Sequence, residues 1–474
     1  MKPLIWKENS KLNYYRRQLK GTPRLLRVSE KAFEKAILEE KFRAEDAQLG
    51  ATMFVFGPVL LSFVSWVLKE ASMTGKRRLY FLSRDGWLMY RMAKRLCRTG
   101  EVYASDGSSV ECRYLYASRY AWRIPEQHLI GERSLERICR GGMHVTFIDM
   151  MQRAGLTEEE GKNIAKLVCP ERDMEEALPW SEIQRLRIPL SRCREFRELA
   201  DNRSRSRYHA VIAYLSQEGL FEEVPYALVD SGWIGTMQES LQHLLESSGY
   251  RGRIDGYYFG LYRVPEGASR QHFHAFYFGP EEGIWRKTLF SNCLFECVFT
   301  APHGMTEGYK NINGLWSPCL FQMKEEAGEW IRQQIRLLEL YMDIAVEAYG
   351  SELKEEMKRL PLENLLCSLM ASPSVEEAAF YGSIPFSDEV TEKKMLPLAA
   401  KLTQCQLFGY HPLPRLCLQL LPGRMKMKDS GWIEGSIRLY GGWLYGWHRV
   451  GVFQYKYALY VRMQHDYRKR RKAA

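Results

Sequence analysis

Short apolar segments that alternate with helical segments are the feature of this sequence that most restricts its fold. The apolar segments of strand length cover residues 78–82, 112–117, 226–229 and 254–261. Helical hydrophobic patterns follow the first and the third of them, at residues 87–97 and 237–245. Strands that alternate with helices form a parallel sheet whose two faces are covered by helices. The sequence therefore predicts an α/β fold with a doubly wound, mostly parallel sheet.

The segments before and after this pattern read as helical. The chain has 474 residues, more than one hydrophobic core usually organises. We expect an N-terminal helical arm at 1–48 and an α/β core at 49–310, which contains a helical, charge-rich insertion at about 131–220. Residues 311–474 would form a helical, aromatic-rich C-terminal region with a basic tail.

Polar residues follow three of the predicted strands at the point where each strand ends. Residues 83–86 follow the first strand, Ser118 and Arg119 follow the second, and residues 230–236 follow the third. Because ligands of doubly wound sheets bind beyond the carboxyl ends of the strands, we expect these residues to form one pocket. The predicted pocket residues are Ser83, Arg84, Asp85, Gly86, Ser118, Arg119, Asp230, Ser231, Gly232, Gly235 and Thr236.

The segment 230–236 has the composition of a phosphate-binding loop between a strand and a helix. Gly232 and Gly235 would let the backbone turn tightly, and the free N–H groups of a helix start attract phosphate. Thr236 would add a hydroxyl donor, and Asp230 would act in catalysis or hold sugar hydroxyls or a metal ion. The alternative is an ordinary turn in which Asp230 caps the helix. The Gly-Lys-Ser/Thr ending of a Walker loop is missing.

Charged side chains at the first two strand ends also suit a phosphorylated ligand. Arg84 would neutralise a phosphate or diphosphate, and Arg119 would bring a second cation. Asp85 would be a catalytic base, a metal ligand or the N-cap of the next helix, or the Asp-Gly pair is a plain turn. Glu296 and His303 are further candidates for a general acid or base, and a structural role is the alternative for His303 in its Pro/Gly loop.

The amino terminus, the cysteines and one long uncharged segment bear on the compartment. The 11 cysteines show no zinc-like spacing, and no secretory signal is recognisable, which is typical of reduced thiols in a cytosolic protein. Residues 47–68 contain no charged side chain. Because Gly57 and Pro58 interrupt this segment, we predict a buried helix that begins there, and a membrane span is the alternative.

The charge distribution is compatible with a contact to a membrane surface. The net charge is +11, and residues 468–472 are all basic. Such a cluster is either a solvated tail or a contact with the anionic inner face of the membrane. The sequence carries no nucleic-acid-binding motif. We therefore expect a cytoplasmic protein, with peripheral membrane association as an open alternative and no nucleic-acid partner.

Four motifs in a fixed order carry a family resemblance. They lie at residues 80–86 (YFLSRDG), 114–119 (YLYASR), 229–236 (VDSGWIGT) and 256–261 (GYYFGL). Across about residues 45–310 the chain resembles a bacterial family found with surface-polysaccharide and glycosyltransferase genes, often labelled as predicted haloacid-dehalogenase-type (HAD) hydrolases. The resemblance implies a role in polysaccharide biosynthesis and glycosyltransferase partners. Because the Asp-x-Asp-x-Thr of the HAD domain is not found here, hydrolysis is an alternative by the family label only.

The chain is also similar, more distantly, to phosphoribosyltransferases. That similarity implies that Arg84 and Asp85 face a diphosphate. It further implies that Asp230 binds ribose hydroxyls and that Gly235 and Thr236 bind the 5-phosphate. The acidic pair of that family is replaced here by Asp230 and Ser231, and the loop is shorter.

These observations lead to two main hypotheses of different classes. The first is a cytoplasmic enzyme or pseudo-enzyme, of transferase type if active, that binds a phosphorylated sugar or a nucleotide-sugar. Mg²⁺ is the candidate cofactor, because it compensates diphosphate charge, and Asp230 or Asp85 would be its oxygen ligand. The second is a non-catalytic membrane-surface adaptor that helps to assemble glycosyltransferases through the aromatic C-terminal region and the basic cluster.

Overall fold

A five-stranded sheet forms the centre of the protein in the computed structural model, which describes residues 10–39, 42–43, 45–100, 109–142, 145–171, 173–174, 176–323, 325–387, 395–415 and 430–473. Its strands are β1 (Arg78–Leu82), β2 (Glu111–Leu115), β3 (Tyr226–Trp233), β4 (Asp255–Leu261) and β5 (Phe273–Phe278). All neighbouring strands are parallel, in the order β2-β1-β3-β4-β5. The predicted α/β fold with a parallel sheet is confirmed.

This strand order places a topological switch point between β1 and β3. The chain leaves β1 toward β2 on one side, and it later returns to β3 on the other side of β1. At such a point the loops beyond the carboxyl ends of the two strands diverge toward opposite faces of the sheet and leave a crevice between them. The predicted pocket residues around Asp85 and Asp230 flank this crevice.

Helices cover both faces of the sheet. Those up to residue 130 are α1 (Ser10–Gln18), α2 (Pro23–Glu39), α3 (Ala47–Ala51), α4 (Gly57–Met73), α5 (Gly86–Cys97) and α6 (Arg119–Ile130). The insertion contains α7 (Arg133–Ile138), α8 (Phe147–Arg153), α9 (Glu158–Val168), α10 (Trp180–Arg185), α11 (Arg187–Arg192) and α12 (Arg194–Gln217). Then come α13 (Thr236–Glu246), α14 (Ile284–Leu289) and α15 (Asn292–Val298).

The C-terminal region is mainly helical, as predicted. A hairpin of β6 (Thr306–Ile312) and β7 (Leu315–Leu320) precedes it. Its helices are α16 (Glu325–Glu347), α17 (Ser351–Lys358), α18 (Leu362–Met370), α19 (Val375–Gly382), α20 (Gln404–Phe408), α21 (Ile433–Tyr440) and α22 (Tyr445–Ala473). The short strands β8 (Pro385–Phe386) and β9 (Leu396–Pro397) pair with each other. The predicted basic tail is described only in part, because the side chains beyond residue 469 lie outside the described residues.

Alternate side chains of the strands enter two different cores. Phe81, Val229 and Phe259 belong to a large core cluster that also takes in α4, α5 and α16. Tyr80 and Leu228 point to the other face and pack with α6, α12 and α13. Because both faces are buried, the inner strands β1, β3 and β4 are mostly apolar instead of alternating, while the edge strand β2 is partly exposed.

The uncharged segment near the amino terminus is one continuous helix, so the predicted interruption at Gly57 and Pro58 is wrong. Helices α3 and α4 are joined by a π-helical segment, Thr52–Phe56, into a helix over Ala47–Met73. Its length and composition would allow it to cross a membrane, but 89% of its most apolar window is buried inside the protein. The wider π turn keeps the helix continuous just before Pro58, which has no N–H to donate.

Strand β3 is longer than the sequence pattern predicted. It continues past Val229 to Trp233, and it pairs Asp230 with Tyr258 and Gly232 with Gly260 of β4. Most of the predicted loop 230–236 is therefore strand, and its turn is confined to residues 234–235. The pattern failed here because polar and glycine residues are uncommon in strands, whereas the long partner β4 supplies the hydrogen bonds that keep the strand extended.

Candidate functional site

A cavity of about 1000 Å³ opens at the carboxyl edge of the sheet, around the switch point. It brings together most residues that the sequence singled out, from three strand ends and one helix. The predicted residues that line it are Ser83, Arg84, Asp85, Ser118, Arg119, Asp230, Ser231, Gly232, Gly235, Thr236 and Glu296. Gly86 and His303 lie beside the cavity and do not line it. The fold thus brings the eleven lining residues together, while the functional role of each of them remains a prediction.

Asp230 lies in β3 at the centre of this cavity. Its half-buried position, the neighbouring Asp85 and the more distant Glu296 raise the pKa of its carboxyl well above the ordinary value. The backbone N–H groups of Ser231 and Gly232 donate to the same carboxyl and act in the opposite direction. Because burial is the largest effect, the carboxyl of Asp230 holds its proton more tightly than an exposed aspartate does.

Asp85 follows β1 and faces the same part of the cavity. The hydroxyl of Ser231 donates a hydrogen bond to its Oδ2 atom, which links the ends of β1 and β3. Asp85 stands at the N-cap position of α5, but its side chain forms no capping hydrogen bond there. The carboxylate is thus turned toward the switch point, which favours the pocket role over the alternative of a helix cap.

Glu296 reaches the cavity from α15, far along the chain from the strand ends. The indole Nε1 of Trp233 donates to its Oε1 atom at 2.5 Å. Burial and the charge of Asp85 raise the pKa of Glu296 to about 7, while Arg119 and Arg84 oppose the shift. A carboxyl with a pKa near neutrality can both accept and donate a proton, as general acid–base catalysis requires.

Trp233, which donates to Glu296, and its neighbour Gly232 both have positive φ angles. Trp233 has φ +75° and Gly232 has φ +110°. A bulky side chain rarely adopts positive φ, so the surrounding packing must hold Trp233 there. A Cβ atom on Gly232 would lie 2.4 Å from the carbonyl oxygen of Gly260, so only glycine fits beside β4. Gly232 therefore has a packing role in the sheet, whatever it does for a ligand.

Gly235 and Gly86 are also explained by close packing. Gly235 has φ +72°, and a Cβ atom there would lie 2.6 Å from the ring of Phe273. At Gly86, the first residue of α5, a Cβ atom would lie 3.1 Å from the carbonyl carbon of Phe81. Both glycines therefore let a helix begin close to the sheet, which is what brings each helix start to the cavity edge.

The hydroxyls of Ser83 and Ser118 are already used inside the protein. Ser83 Oγ donates to the carbonyl of Ala117 at 2.7 Å and accepts from its N–H at 2.9 Å. Ser118 Oγ accepts from the N–H of Ala121 at 2.9 Å, as the N-cap of α6, and donates to the carbonyl of Thr306 at 2.5 Å. These two side chains fix the strand ends, and their predicted ligand contacts would require giving up a bond.

His303 is held by two protein groups. Its Nδ1 lies 2.8 Å from the carbonyl oxygen of Gly304, and its Nε2 lies 2.8 Å from the hydroxyl of Tyr114. Since a carbonyl oxygen can only accept, Nδ1 carries the proton and Tyr114 donates to Nε2. Burial lowers the pKa of His303. This arrangement corresponds to the structural alternative for the residue.

A group of arginines that was not predicted from the sequence comes from α6, α7, α8 and the segment between the last two helices. Arg123, Arg137, Arg140 and Arg153 line the cavity together with Arg84, Arg119 and Arg263. The available signal was the four-residue spacing of Arg119 and Arg123, which places both on the same side of a helix. The seven arginines outnumber the three carboxylic acids of the lining, Asp85, Asp230 and Glu296. The cavity is therefore strongly basic.

A second missed contribution comes from the C-terminal region. The ring of Tyr460, on α22, stacks on that of Tyr262 with centroids 5.2 Å apart, and both line the cavity. Tyr262 is in turn 6.0 Å from the ring of Trp233. This aromatic wall lies on the side of Glu296, and Phe386 and Met463 extend it with apolar side chains. Apolar walls with a few polar groups are usual in sites for organic ligands.

A metal site built by the protein alone is not found in the described part of the chain, where no group of three or more His, Cys, Asp or Glu is arranged to hold an ion. Mg²⁺ is commonly bound by only one or two carboxylates together with the phosphates of a ligand. Asp85 and Asp230 would be the carboxylates for this mode, so the predicted Mg²⁺ depends on a phosphorylated ligand.

Comparison with known proteins gives no independent indication of the family. No protein-family model and no curated protein matches the chain.

Proposed function

We propose that this protein binds a phosphorylated sugar or a nucleotide-sugar in the switch-point cavity and acts, as a transferase, in bacterial surface-polysaccharide biosynthesis. The observation that carries the proposal is the pairing of two kinds of side chain around one cavity of about 1000 Å³. Arginines suit the phosphate groups, and the carboxyls of Asp85, Asp230 and Glu296 suit the sugar hydroxyls. The assignment to surface-polysaccharide biosynthesis and the glycosyltransferase partners rest on the family resemblance alone.

The same arrangement would support group transfer. A sugar donor carries a phosphate leaving group, whose developing negative charge the arginines would stabilise. Glu296 would accept the proton of an attacking hydroxyl, since its pKa near 7 suits that role at neutral pH. The aromatic wall of Trp233, Tyr262 and Tyr460 would pack against the face of a sugar or base.

A thermal-shift screen tests the proposal. The ligands are phosphoribosyl diphosphate, sugar phosphates and nucleotide-sugars, each with and without Mg²⁺. A ligand at one hundred times its dissociation constant should stabilise the protein by about 2.7 kcal/mol. We expect Asp230→Asn to lose the part of this shift that depends on Mg²⁺, because an amide, like the protonated carboxyl, is a poor ligand for the cation, whereas its similar shape should leave the fold intact.

Asp343→Asn is the matched control, because Asp343 lies on α16 and pairs with Arg95 at the protein surface. The control should keep the full ligand shift. Absence of a shift with every ligand, or an equal shift in Asp230→Asn, would contradict binding at the carboxyl edge of the sheet.

A membrane-surface adaptor is the second candidate, because α22 and the turn before it expose aromatic and apolar side chains. Trp443, in the turn before α22, is 87% exposed, and Trp447 and Val450 are exposed in the first two turns of the helix. Arg462 and Arg468 are exposed further along the helix. Exposed tryptophan and arginine side chains on one helix suit the interface of an anionic membrane.

Vesicle sedimentation tests this candidate. Replacement of both Trp443 and Trp447 by alanine should release the protein from vesicles that contain anionic lipid. Trp180→Ala is the control, since Trp180 is 69% exposed and belongs to α10 of the insertion. Equal sedimentation of all three proteins, or none with the wild type, would remove the adaptor hypothesis.

A further inference from the structure

Arg123 is an arginine of the cavity that the protein holds by a single hydrogen bond among the described residues. It lies on α6, one turn after Arg119, and lines the cavity at the start of α13. Its Nη2 donates to the hydroxyl oxygen of Thr236, the first residue of α13, at 2.6 Å. Its Nε atom is enclosed and has no hydrogen-bond partner among the described residues. The side chain is therefore fixed by the protein at one nitrogen only.

The charge of Arg123 is poorly compensated by the protein. Burial lowers the pKa of its guanidinium, and Arg119, Arg137 and Arg140 lower it further. Arginine keeps its proton in proteins, so the lowered pKa means that the cation is held in an unfavourable environment. Arg123 forms no ion pair with a carboxylate within the described ranges.

The nearest acidic residue is already committed to other cations. Glu126 attracts Arg123 only weakly compared with the opposing effects. Its two oxygens accept from Arg137 and from Nδ1 of His243, the latter at 2.6 Å. Arg137 is neutralised further by Glu239 at 2.7 Å. A partly buried charge without an ion-pair partner is costly, and an anion bound in the cavity would compensate it.

The surroundings of Arg123 supply the other contacts that such an anion needs. The Thr236 oxygen accepts from Arg123, and its hydroxyl proton makes no further bond within the described part of the chain, so it can donate to a ligand. Thr236 and Met237 begin α13 at the cavity surface, where the unpaired N–H groups of a helix start favour negative charge. Arg119 and Arg140 flank the position.

We propose that Arg123 is the anchor of a diphosphate subsite, formed with Thr236 and the start of α13 and flanked by Arg119 and Arg140. Several cations around one point balance a diphosphate better than a single phosphate ester. The inference rests on the proposed function and adds the orientation of the ligand in the cavity. The diphosphate end of the ligand would lie against α6 and α13, and its sugar would lie toward Glu296 and Trp233.

Calorimetric titration with inorganic diphosphate tests the subsite without assuming a sugar. Replacing Arg123 by Gln removes a charge-assisted contact, so the dissociation constant should rise by about 10- to 150-fold. Arg194→Gln is the matched control, because Arg194 is an exposed arginine of the insertion that pairs with its helix neighbour Glu198. This control should bind diphosphate like the wild type.

A second readout separates an anchor from a merely structural arginine. In the absence of ligand, Arg123→Gln should have a melting temperature equal to or above that of the wild type, because a poorly compensated cation has been removed. With saturating diphosphate the order should reverse, since only the wild type gains stability from the ligand. A structural arginine would instead lower the melting temperature in both conditions.

The outcomes also separate this inference from the proposed function. Unchanged diphosphate affinity in Arg123→Gln, no binding of diphosphate by the wild type, or a lower melting temperature of the ligand-free variant would each overturn the subsite. If sugar phosphates bind with equal affinity to the wild type and Arg123→Gln, the proposed function stands and the subsite fails. If diphosphate binds through Arg123 but no sugar ligand binds, the subsite stands and the proposed function fails.

Discussion

Replacement of Trp432 by alanine is expected to lower the free energy of unfolding by about 3–5 kcal/mol, the usual effect of removing a large aromatic side chain from a core. Trp432 is fully buried, and its Nε1 donates to the carbonyl oxygen of Met370 at 2.7 Å. It belongs to the same core cluster as Phe81 of β1 and Tyr341 of α16. The variant would therefore lose packing and also leave a buried carbonyl without its donor.

Denaturant unfolding, followed by circular dichroism, measures this change. Trp443→Ala is the matched control, since it removes the same side chain from an exposed site and should change the stability by less than about 0.5 kcal/mol. Because the core cluster joins the C-terminal region to the sheet, we expect the wild type to unfold without an early transition of residues 311–474. A loss below 1 kcal/mol in Trp432→Ala, or a separate early transition, would contradict the shared core.

Glu296→Gln is expected to stabilise the protein above pH 7 by about 3 kcal/mol, with no effect near pH 4.5. Burial and Asp85 raise the pKa of Glu296 from 4.5 to about 7, so the folded protein binds the proton more tightly than the unfolded chain does. For such a carboxyl, the free energy of unfolding falls as the pH rises from 4.5 to about 7. Glutamine has no proton to lose, and its oxygen still accepts from Trp233.

The measurement is the free energy of unfolding of both proteins at several pH values between 4.5 and 8. The difference between Glu296→Gln and the wild type should grow through this window and then level off. Glu195→Gln, at an exposed position of α12, is the control and should show no such growth. A constant difference at all pH values would mean that Glu296 does not titrate in this window.

Much of the fold could be predicted from the sequence because its signals are local. The continuous apolar runs predicted the positions of β1, β3 and β4, since strands buried on both faces contain few polar residues, whereas β2 is a partly exposed edge strand. A local signal also marks the start of α19, where Ser374 and Glu377 form the reciprocal bonds of a capping box. The convergence of the strand ends at one edge also followed from the sequence, since parallel strands share their direction.

Other features depend on partners that are distant in the chain. The extension of β3 depends on β4, and the continuous helix Ala47–Met73 depends on burial by the surrounding elements. Strand β5 was not predicted, although its six residues include three phenylalanines and a tyrosine, because no α-helix separates it from β4. Hydrophobic periodicity describes neighbours along the chain and carries no information on such partners.

The chemistry of the site divides in the same way. The sequence placed Asp85 and Asp230 at one edge of a sheet, because strand ends can be recognised from local composition. Only the tertiary structure joined Trp233 to Glu296 and Arg123 to Thr236, since these pairs are 63 and 113 residues apart. Burial, which raises the pKa of a carboxyl and leaves a cation without compensation, is a property of the assembled core. It is decided by which side chains exclude water from the cavity, and no short segment contains that information.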